Sequence, residues 1–512
     1  MGTGRLAPGP HPRAAWILGL LALASSLGWS SPTAVDDWQP VAQGVTFREF
    51  VLPGPVHVFV ARMDVTSPEV TLESSIATGS LAQGTETVSE MARRYDQTLS
   101  AWGGAWGPRH HVVVAVNGSS YNLATGEPYG GLVHDGWYAQ RFGELAGTSG
   151  LAWSLDREAM IGGCVSNPKS RNLVAVARTG AQMELDSVNL VRQDDGLLLF
   201  TPQYDASTPE NDGDVEVVIE VDRPVGVVPL PRGVVGFVRE LRQGHGHTPL
   251  LFDQVVLTAD GRAAEAFTAD LRAGDAVTIS QEIKDLGGDC RSSPRLDWSS
   301  TYAAIGGGFE ILRRGELRHS DDIGASVHDP RTAFCLNSDH VDFVVVDGRQ
   351  DGYSVGMTLD QVAEFCRDEL GDTFGINQDG GGSSAMWVNG RIVNRPSDGF
   401  ERAVANGMLM TVIEPALRST RFAPGYRVLV QQSGDVRLGP GFNFATRDSL
   451  RPGTLVDVWP AASSAQGIFA TGMFWWRASY DGEEGWVPER SLVSSLQALS
   501  TFQIPALPVT TP

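Results

Sequence analysis

The segment 374–410 constrains this chain more than any other. A short apolar run ends in Asn377-Gln378-Asp379, three glycines follow at 380–382, and Ser383 and Ser384 come next. Adjacent glycines admit positive φ and let a ligand meet the main chain with no Cβ in the way. Successive N–H groups in such a turn can converge on an anion. Residues 385–388 and 391–394 then flank Asn389-Gly390, a strong short-range hairpin signal. The second arm runs through Arg395-Pro396-Ser397-Asp398-Gly399 to Glu401-Arg402. Each piece alone reads as an ordinary polar turn. Carboxylates, hydroxyls and guanidiniums crowded into one loop between strands read as a site.

The chain has 512 residues, enough to bury a large core and to divide into two or more domains. Its 59 glycines and 29 prolines favour many strands and turns over long helices. The formal net charge of −21 argues against nucleic acid as a partner and says nothing about fold. It also makes clustered arginines informative, because they stand against the trend.

Arg5 and Arg13 precede an apolar run at 14–27, and small and polar residues continue to Ala34. This is the pattern of a signal peptide over 1–34, too short for a membrane span. The expectation is a secreted or cell-envelope protein with no stable membrane insertion after cleavage; an uncleaved N-terminal anchor is the alternative. The four cysteines, Cys164, Cys290, Cys335 and Cys366, contain no C-x-x-C pair. In an exported chain they predict two disulfides, with three connectivities open and four buried thiols as the competing reading.

From 38 to about 165 the pattern is rich in strands, with one helix over 86–99 capped by Thr85. A buried strand over 111–116 ends in Asn117-Gly118-Ser119-Ser120-Tyr121, a polar turn well placed for a ligand. Residues 165–297 read as an all-β insertion, with strands including 197–201, 215–221, 225–228, 234–238, 254–257 and 276–281. His245 and His247 have metal-ligand spacing, but their glycine-rich turn holds no nearby acid and reads as a solvated loop.

Beyond 301 the signals are mixed. A strand over 341–346 ends in Asp347-Gly348-Arg349, and a helix over 358–370 opens on a Thr358/Gln361 capping box. The strand 374–377 follows. Strand, helix, strand predicts a βαβ unit that brings Asp347 and Arg349 beside Asp379. Residues 416–424 form a linker, 425–493 a compact module of short strands, and 494–512 a disordered tail. The fold class is therefore α+β: a mixed-sheet domain over 38–415, with its β-rich insertion, followed by a small β-barrel.

Arginine's planar fork suits phosphate or carboxylate, and Arg331, Arg349, Arg395 and Arg402 are the candidates for an anion. Asp347, Asp379, Asp398 and Glu401 could supply paired carboxylates for glycosyl hydrolysis. A nucleophilic Ser383 or Ser384 is the weaker reading, since no G-x-S-x-G elbow is present and no histidine lies nearby. His319-x-Asp321-Asp322 and His328-Asp329 are the nearest approach to a hydrolytic metal cluster, and surface polarity accounts for them. Neither a metal nor a cofactor is assigned.

The stretches VVVDGRQ (344–350), NQDGGGSSAMWVNGRIVNRPSDG (377–399) and ERAVAN (401–406) closely resemble the phosphodiester glycosidase family. AIGGGFEILRRGE (304–316) and HDPRTAF (328–334) extend the resemblance, which covers roughly 45–415. It implies hydrolysis of the bond between a sugar's anomeric carbon and a phosphodiester of the N-acetylglucosamine-1-phosphodiester type. Free sugar and a phosphomonoester are the products. Taken together with the site chemistry, it favours Asp379 as the main carboxylate at the reaction centre, with Asp347 or Glu401 as partner. Gly380, Gly381, Gly382, Ser383 and Ser384 would hold phosphate or sugar hydroxyls. Arg331, Arg349, Arg395 and Arg402 would face the anion, with Ser397 and Asp398 beside them, and Asn117 and Asn394 would position the sugar. The family's usual Asn-Gly followed by Gly or Asp and two aromatics is Asn-Gly-Ser-Ser-Tyr here, which points to a changed sugar preference. Residues 425–493 resemble bacterial SH3-like domains in DVRLGPGFNF (435–444) and in the GWVPERSLV (485–493) that ends the module. Such modules often contact cell-wall peptides or glycans, and a small barrel that only packs on the larger domain is the equal alternative. The expected partner is a glycosyl phosphate or polysaccharide substrate, and the alternative function is non-catalytic glycan or cell-wall binding.

Overall fold

The computed structural model describes residues 37–102, 110–134, 137–143, 149–154, 158–191, 195–210, 215–221, 234–244, 246–251, 254–280, 282–285, 298, 301–413, 419, 421–423, 425–437, 446–458, 467–470 and 473–494. The expected signal peptide, most of the linker, the tail beyond 494, the strand 225–228, His245 and Cys290 lie outside them.

An eight-stranded sheet carries the lanes Gln39–Ala42, Val45–Leu52, Val56–Asp64, His340–Val346, Arg331–Leu336, Phe374–Asn377, Phe309–Arg313 and Glu316–Leu317, in that order. Side chains alternate across it, as the period of two requires. Val58 and Val60 meet the helix Leu359–Asp368 through Leu359, Val362, Ala363 and Phe365. Phe59, Ala61 and Met63 face the other way, into the main core. There they meet a second sheet, ordered Arg391–Ile392, Met386–Val388, His110–Asn117, Asn406–Ile413 and Val70–Ile76. The outer face of that sheet is covered by the helix Val88–Trp102 through Val88, Met91, Ala92 and Tyr95. The result is two sheets packed face to face, each backed by one helix.

The expected α+β class does not hold. Among the described residues there are three α-helices against six sheets, and the fold is mainly β. The reading failed at the supposed βαβ unit. Arg331–Leu336 and His340–Val346 are joined by a three-residue turn and pair antiparallel. That hairpin takes the lane beside His340–Val346, so Phe374–Asn377 pairs with Arg331–Leu336 instead. The two strands are parallel, as a crossover demands, but stand one lane apart. Local hairpin closure decided the pairing, and the sequence pattern on either side of a helix does not reveal it.

A separate eight-stranded sheet is drawn wholly from residues 173–280 and encloses its own core of Val174, Leu199, Val217, Ile219, Leu257 and Ile279. Reading this region as all-β missed the helix Gly261–Asp270, which packs through Ala264 and Phe267. The C-terminal strands between Arg427 and Ser494 form an antiparallel sheet. Trp476 lies in its own core, whereas Trp475 and Trp486 join the main core. All three tryptophans are buried, so they hold the fold and present no stacking platform.

Cys335 is bonded to Cys366, tying the helix to the strand Arg331–Leu336, and Cys164 is disulfide-bonded as well. No helix among the described residues is long and apolar enough to cross a membrane.

Candidate active site

Because His340–Val346 and Phe374–Asn377 run parallel, their C-terminal ends release residues 347–349 and 378–384 at one edge of the large sheet. The strand His110–Asn117 of the second sheet ends at the same place. Gly118 accepts from the Asp379 N–H at 2.9 Å, and the Asn117 carboxamide donates to the Asp379 carbonyl at 2.8 Å. The other end of that carboxamide accepts from Thr332 Oγ1 at 2.8 Å and from the Ala385 N–H at 3.2 Å. With its backbone held on both sides, Asp379 stays partly exposed, and Ser120 Oγ donates to its carboxylate at 3.1 Å.

The glycine turn follows. Gly381 has φ +63°, a conformation that favours glycine, and the Arg349 guanidinium lies against it. A Cβ on Gly382 would lie 2.2 Å from both Arg402 Nη2 and Asp398 Oδ2. Both arginines therefore reach the turn only because it lacks side chains. Arg402 is paired with Asp398 at 2.7 Å, and Arg349 forks onto Asp329 at 2.5 and 2.8 Å. Arg349 itself holds φ +58°, uncommon for a residue with a Cβ. The N–H groups of Gly381, Ser383 and Ser384 are bonded to main-chain carbonyls, so these three do not converge on an anion.

Tyr121 closes one side, with its hydroxyl donating to the Ala403 carbonyl at 2.7 Å. Burial, and then the nearby Asp379 charge, raise its pKa above the ordinary phenol value. The buried Ser383 hydroxyl faces Tyr121, and the Ser397 hydroxyl and both polar ends of the Gln378 carboxamide are buried with no hydrogen-bond partner among the described residues. Such groups usually meet water or a ligand.

The remaining candidates are engaged elsewhere. Asp347 is 1% exposed and accepts from Asn394 Nδ2 (2.9 Å), the Arg395 N–H (2.8 Å) and the Tyr353 hydroxyl (3.1 Å). Burial raises its pKa, and these hydrogen bonds work against that rise. Glu401 accepts from the N–H and hydroxyl of Ser89, at 3.0 and 2.5 Å, near the N-terminus of the helix Val88–Trp102. Arg331 donates to the carbonyls of Met357, Gly324 and Val327. Asn117 and Asn394 are buried within their own networks, and Ser384 Oγ accepts from Thr332. Arg395 is exposed, with its guanidinium 5.2 Å from the Tyr353 ring centre. The structure thus gathers Asp379, Gly380–Ser383, Arg349, Asp398 and Arg402, and it adds Ser120 and Tyr121. The sequence marks the whole 117–121 turn as a ligand position, but only Asn117 is singled out from it as a site residue. The signal lay three residues further on, at the first exposed hydroxyl after a buried strand.

This arrangement, a partly exposed carboxylate on a glycine turn flanked by guanidiniums, falls within a region of known kinship. Residues 234–411 match the phosphodiester glycosidase family, a span of less than half the chain. Among solved structures, a hypothetical protein from Synechocystis is similar at 17% identity and a TM-score of 0.51, over 72% of this chain and 62% of that one. The likeness is one of fold alone, and the chain spans less than two thirds of that protein. A Burkholderia pseudomallei protein described as exported has 19% identity and a TM-score of 0.49, over 70% and 74% of the two chains. The catalytic domain of zebrafish N-acetylglucosamine-1-phosphodiester alpha-N-acetylglucosaminidase, auto-inhibited by its pro-peptide, has 16% identity and a TM-score of 0.34, over 74% and 85%. Neither of these two lower scores carries an argument. No curated protein matches the chain.

Proposed function

We propose that this is an exported glycosidase that hydrolyses the anomeric carbon–oxygen bond of sugar-1-phosphodiesters, with N-acetylglucosamine-1-phosphodiesters as the substrate type. The observation that carries the reading is the placing of Asp379, partly exposed on the glycine turn with the Arg349 and Arg402 guanidiniums against it. The family match over 234–411 supports it independently.

The chemistry follows from the leaving group. A phosphomonoester departs as a stabilised anion and needs little proton donation, so the site can apply its cations to developing negative charge. Arg349 and Arg402 serve that end, and the buried hydroxyls of Ser383 and Ser397 add donors. Asp379 takes the anomeric side. Water adds to the anomeric carbon, the bond to the phosphate oxygen breaks with its electron pair, and the water proton passes by way of Asp379 to solvent. Asp347 and Glu401, considered as partner acids, act instead by holding the 394–395 segment and the helix Val88–Trp102 in place. The module 425–493 would hold the protein at the cell wall.

Hydrolysis in ¹⁸O-labelled water tests the bond assignment. Label in the released sugar, with none in the phosphomonoester, is the expected result. Label in the phosphate would mean phosphorus–oxygen cleavage and a different enzyme class. No release from a panel of glycosyl phosphodiesters, with glycan binding retained, would favour the non-catalytic reading.

A further inference from the structure

The same two parallel strands that place the candidate site at their C-terminal ends carry a second polar cluster at their beginnings. His340 and Asp342 open one strand, and Asp372 stands just before the other. Five to seven residues separate each part from the Asp347 or Asp379 end, which is about 20 Å of extended chain. The cluster therefore belongs to the opposite edge of the sheet.

Its charges do not balance. The side chains of Asp342 and Asp372 are both 0% exposed, and among the described residues the one guanidinium on them is that of Arg62. Arg62 forks onto Asp342, from Nε at 2.8 Å and Nη2 at 2.6 Å, and also donates to the Leu370 carbonyl. That leaves Asp372 with both carboxylate oxygens buried and no hydrogen-bond donor on them among the described residues. An uncompensated buried carboxylate costs several kcal/mol, roughly, unless a proton or a cation joins it.

The distances to the third member favour a cation. His340 Nε2 lies 3.3 Å from Asp372 Oδ1 and 3.5 Å from Asp342 Oδ2. Both separations exceed a charge-assisted hydrogen bond, usually about 2.7–2.9 Å. They do match the edge of a coordination tetrahedron, in which zinc bonds of about 2.0–2.2 Å set ligand atoms about 3.3–3.5 Å apart. Asn337 Nδ2 stands 3.2 Å from the same ring nitrogen and would give way to a cation bound there. The imidazole keeps 14% of its surface exposed, which supplies an entry path.

We propose that His340 Nε2, Asp342 Oδ2 and Asp372 Oδ1 bind one divalent transition cation of the zinc type, with Arg62 orienting Asp342 from behind. The cation is structural. It fastens the beginnings of two strands that are one lane apart, beside the Cys335–Cys366 disulfide, whose sulfurs lie within 4.8 Å of the Asp372 carboxylate. One nitrogen and two oxygens suit zinc better than calcium, which takes six to eight oxygens.

The test uses untagged full-length protein, stripped with EDTA, dialysed and titrated with Zn²⁺ by calorimetry. One zinc per chain with a micromolar or lower Kd is expected, together with a melting temperature raised by several degrees. Asp372→Asn and His340→Gln should each weaken binding by at least tenfold. His319→Gln, at the exposed pair with Asp360, should leave it unchanged. Anomalous scattering from wild-type crystals soaked in Zn²⁺ decides the place even if the variants fail to fold. A peak among the three side chains supports the proposal. No zinc bound at about 100 μM, or a peak elsewhere only, overturns it and leaves a shared proton as the balancing charge.

Discussion

The Asn117 carboxamide donates to the main-chain carbonyl of Asp379 at 2.8 Å, and so joins the end of one sheet to the turn that leaves the other. Asn117 is fully buried and also accepts from Thr332 and Ala385. Asn117→Ala would strand three polar groups, each costing about 1–3 kcal/mol when buried unpaired. Allowing for relaxation, a loss of about 3 kcal/mol is expected in urea unfolding. Activity should fall further than stability explains, because the Asp379 backbone loses an anchor. A variant that matches wild type in both would remove Asn117 from this account.

A Cβ added at Gly382 would lie 2.2 Å from the Arg402 guanidinium. Gly382→Ala should displace the Arg402–Asp398 pair and lower kcat/KM at least a hundredfold while the fold persists. Gly381→Ala, at φ +63°, should cost about 1 kcal/mol of stability as well. Circular dichroism beside turnover separates the two effects.

Glu401 is expected to behave as a helix anchor. Its carboxylate meets Ser89 near a helix N-terminus, where negative charge is favoured. Glu401→Ala should cost about 1 kcal/mol of stability and leave kcat within a few-fold of wild type. A collapse of kcat with unchanged stability would return Glu401 to the reaction.

Asp347 gives a pH dependence with a definite sign. Its folded pKa is raised, chiefly by burial, so the folded state binds the proton more tightly than the unfolded chain does. The stability it contributes is complete below the ordinary carboxylate pKa and is lost as pH rises through the higher folded value. Asp347→Asn should flatten that part of the stability–pH curve. Chemical denaturation at a series of pH values from acid to neutral reads it directly. A variant curve parallel to wild type would contradict the assignment.

Much of this was legible in the sequence where local chemistry decides. The capping box of the helix Leu359–Asp368 forms as read, with Thr358 Oγ1 accepting from the Gln361 N–H and the Gln361 side chain accepting from the Thr358 N–H. The Asn389-Gly390 hairpin also forms, both residues at positive φ. The helix expected over 86–99 begins two residues later than read. Thr87, not Thr85, faces Glu90 in a capping box, because Glu86 is drawn into a bridge with Val404 and a salt bridge with Arg94. What the sequence does not reveal is which distant strand takes the neighbouring lane, and hence which acids face inward. Asp347 and Asp379 both follow buried strands and look alike in sequence. The 394–395 segment folds over one, and the 117–121 turn leaves the other partly open.

The central claim is that Asp379 acts on a sugar-1-phosphodiester. The most direct measurement is release of reducing sugar from glycosyl phosphodiesters by wild type and by Asp379→Asn, each shown to be folded by its melting temperature. The account predicts turnover by wild type and a loss of about a thousandfold or more in the variant, at nearly unchanged stability. Turnover that survives in Asp379→Asn would contradict it.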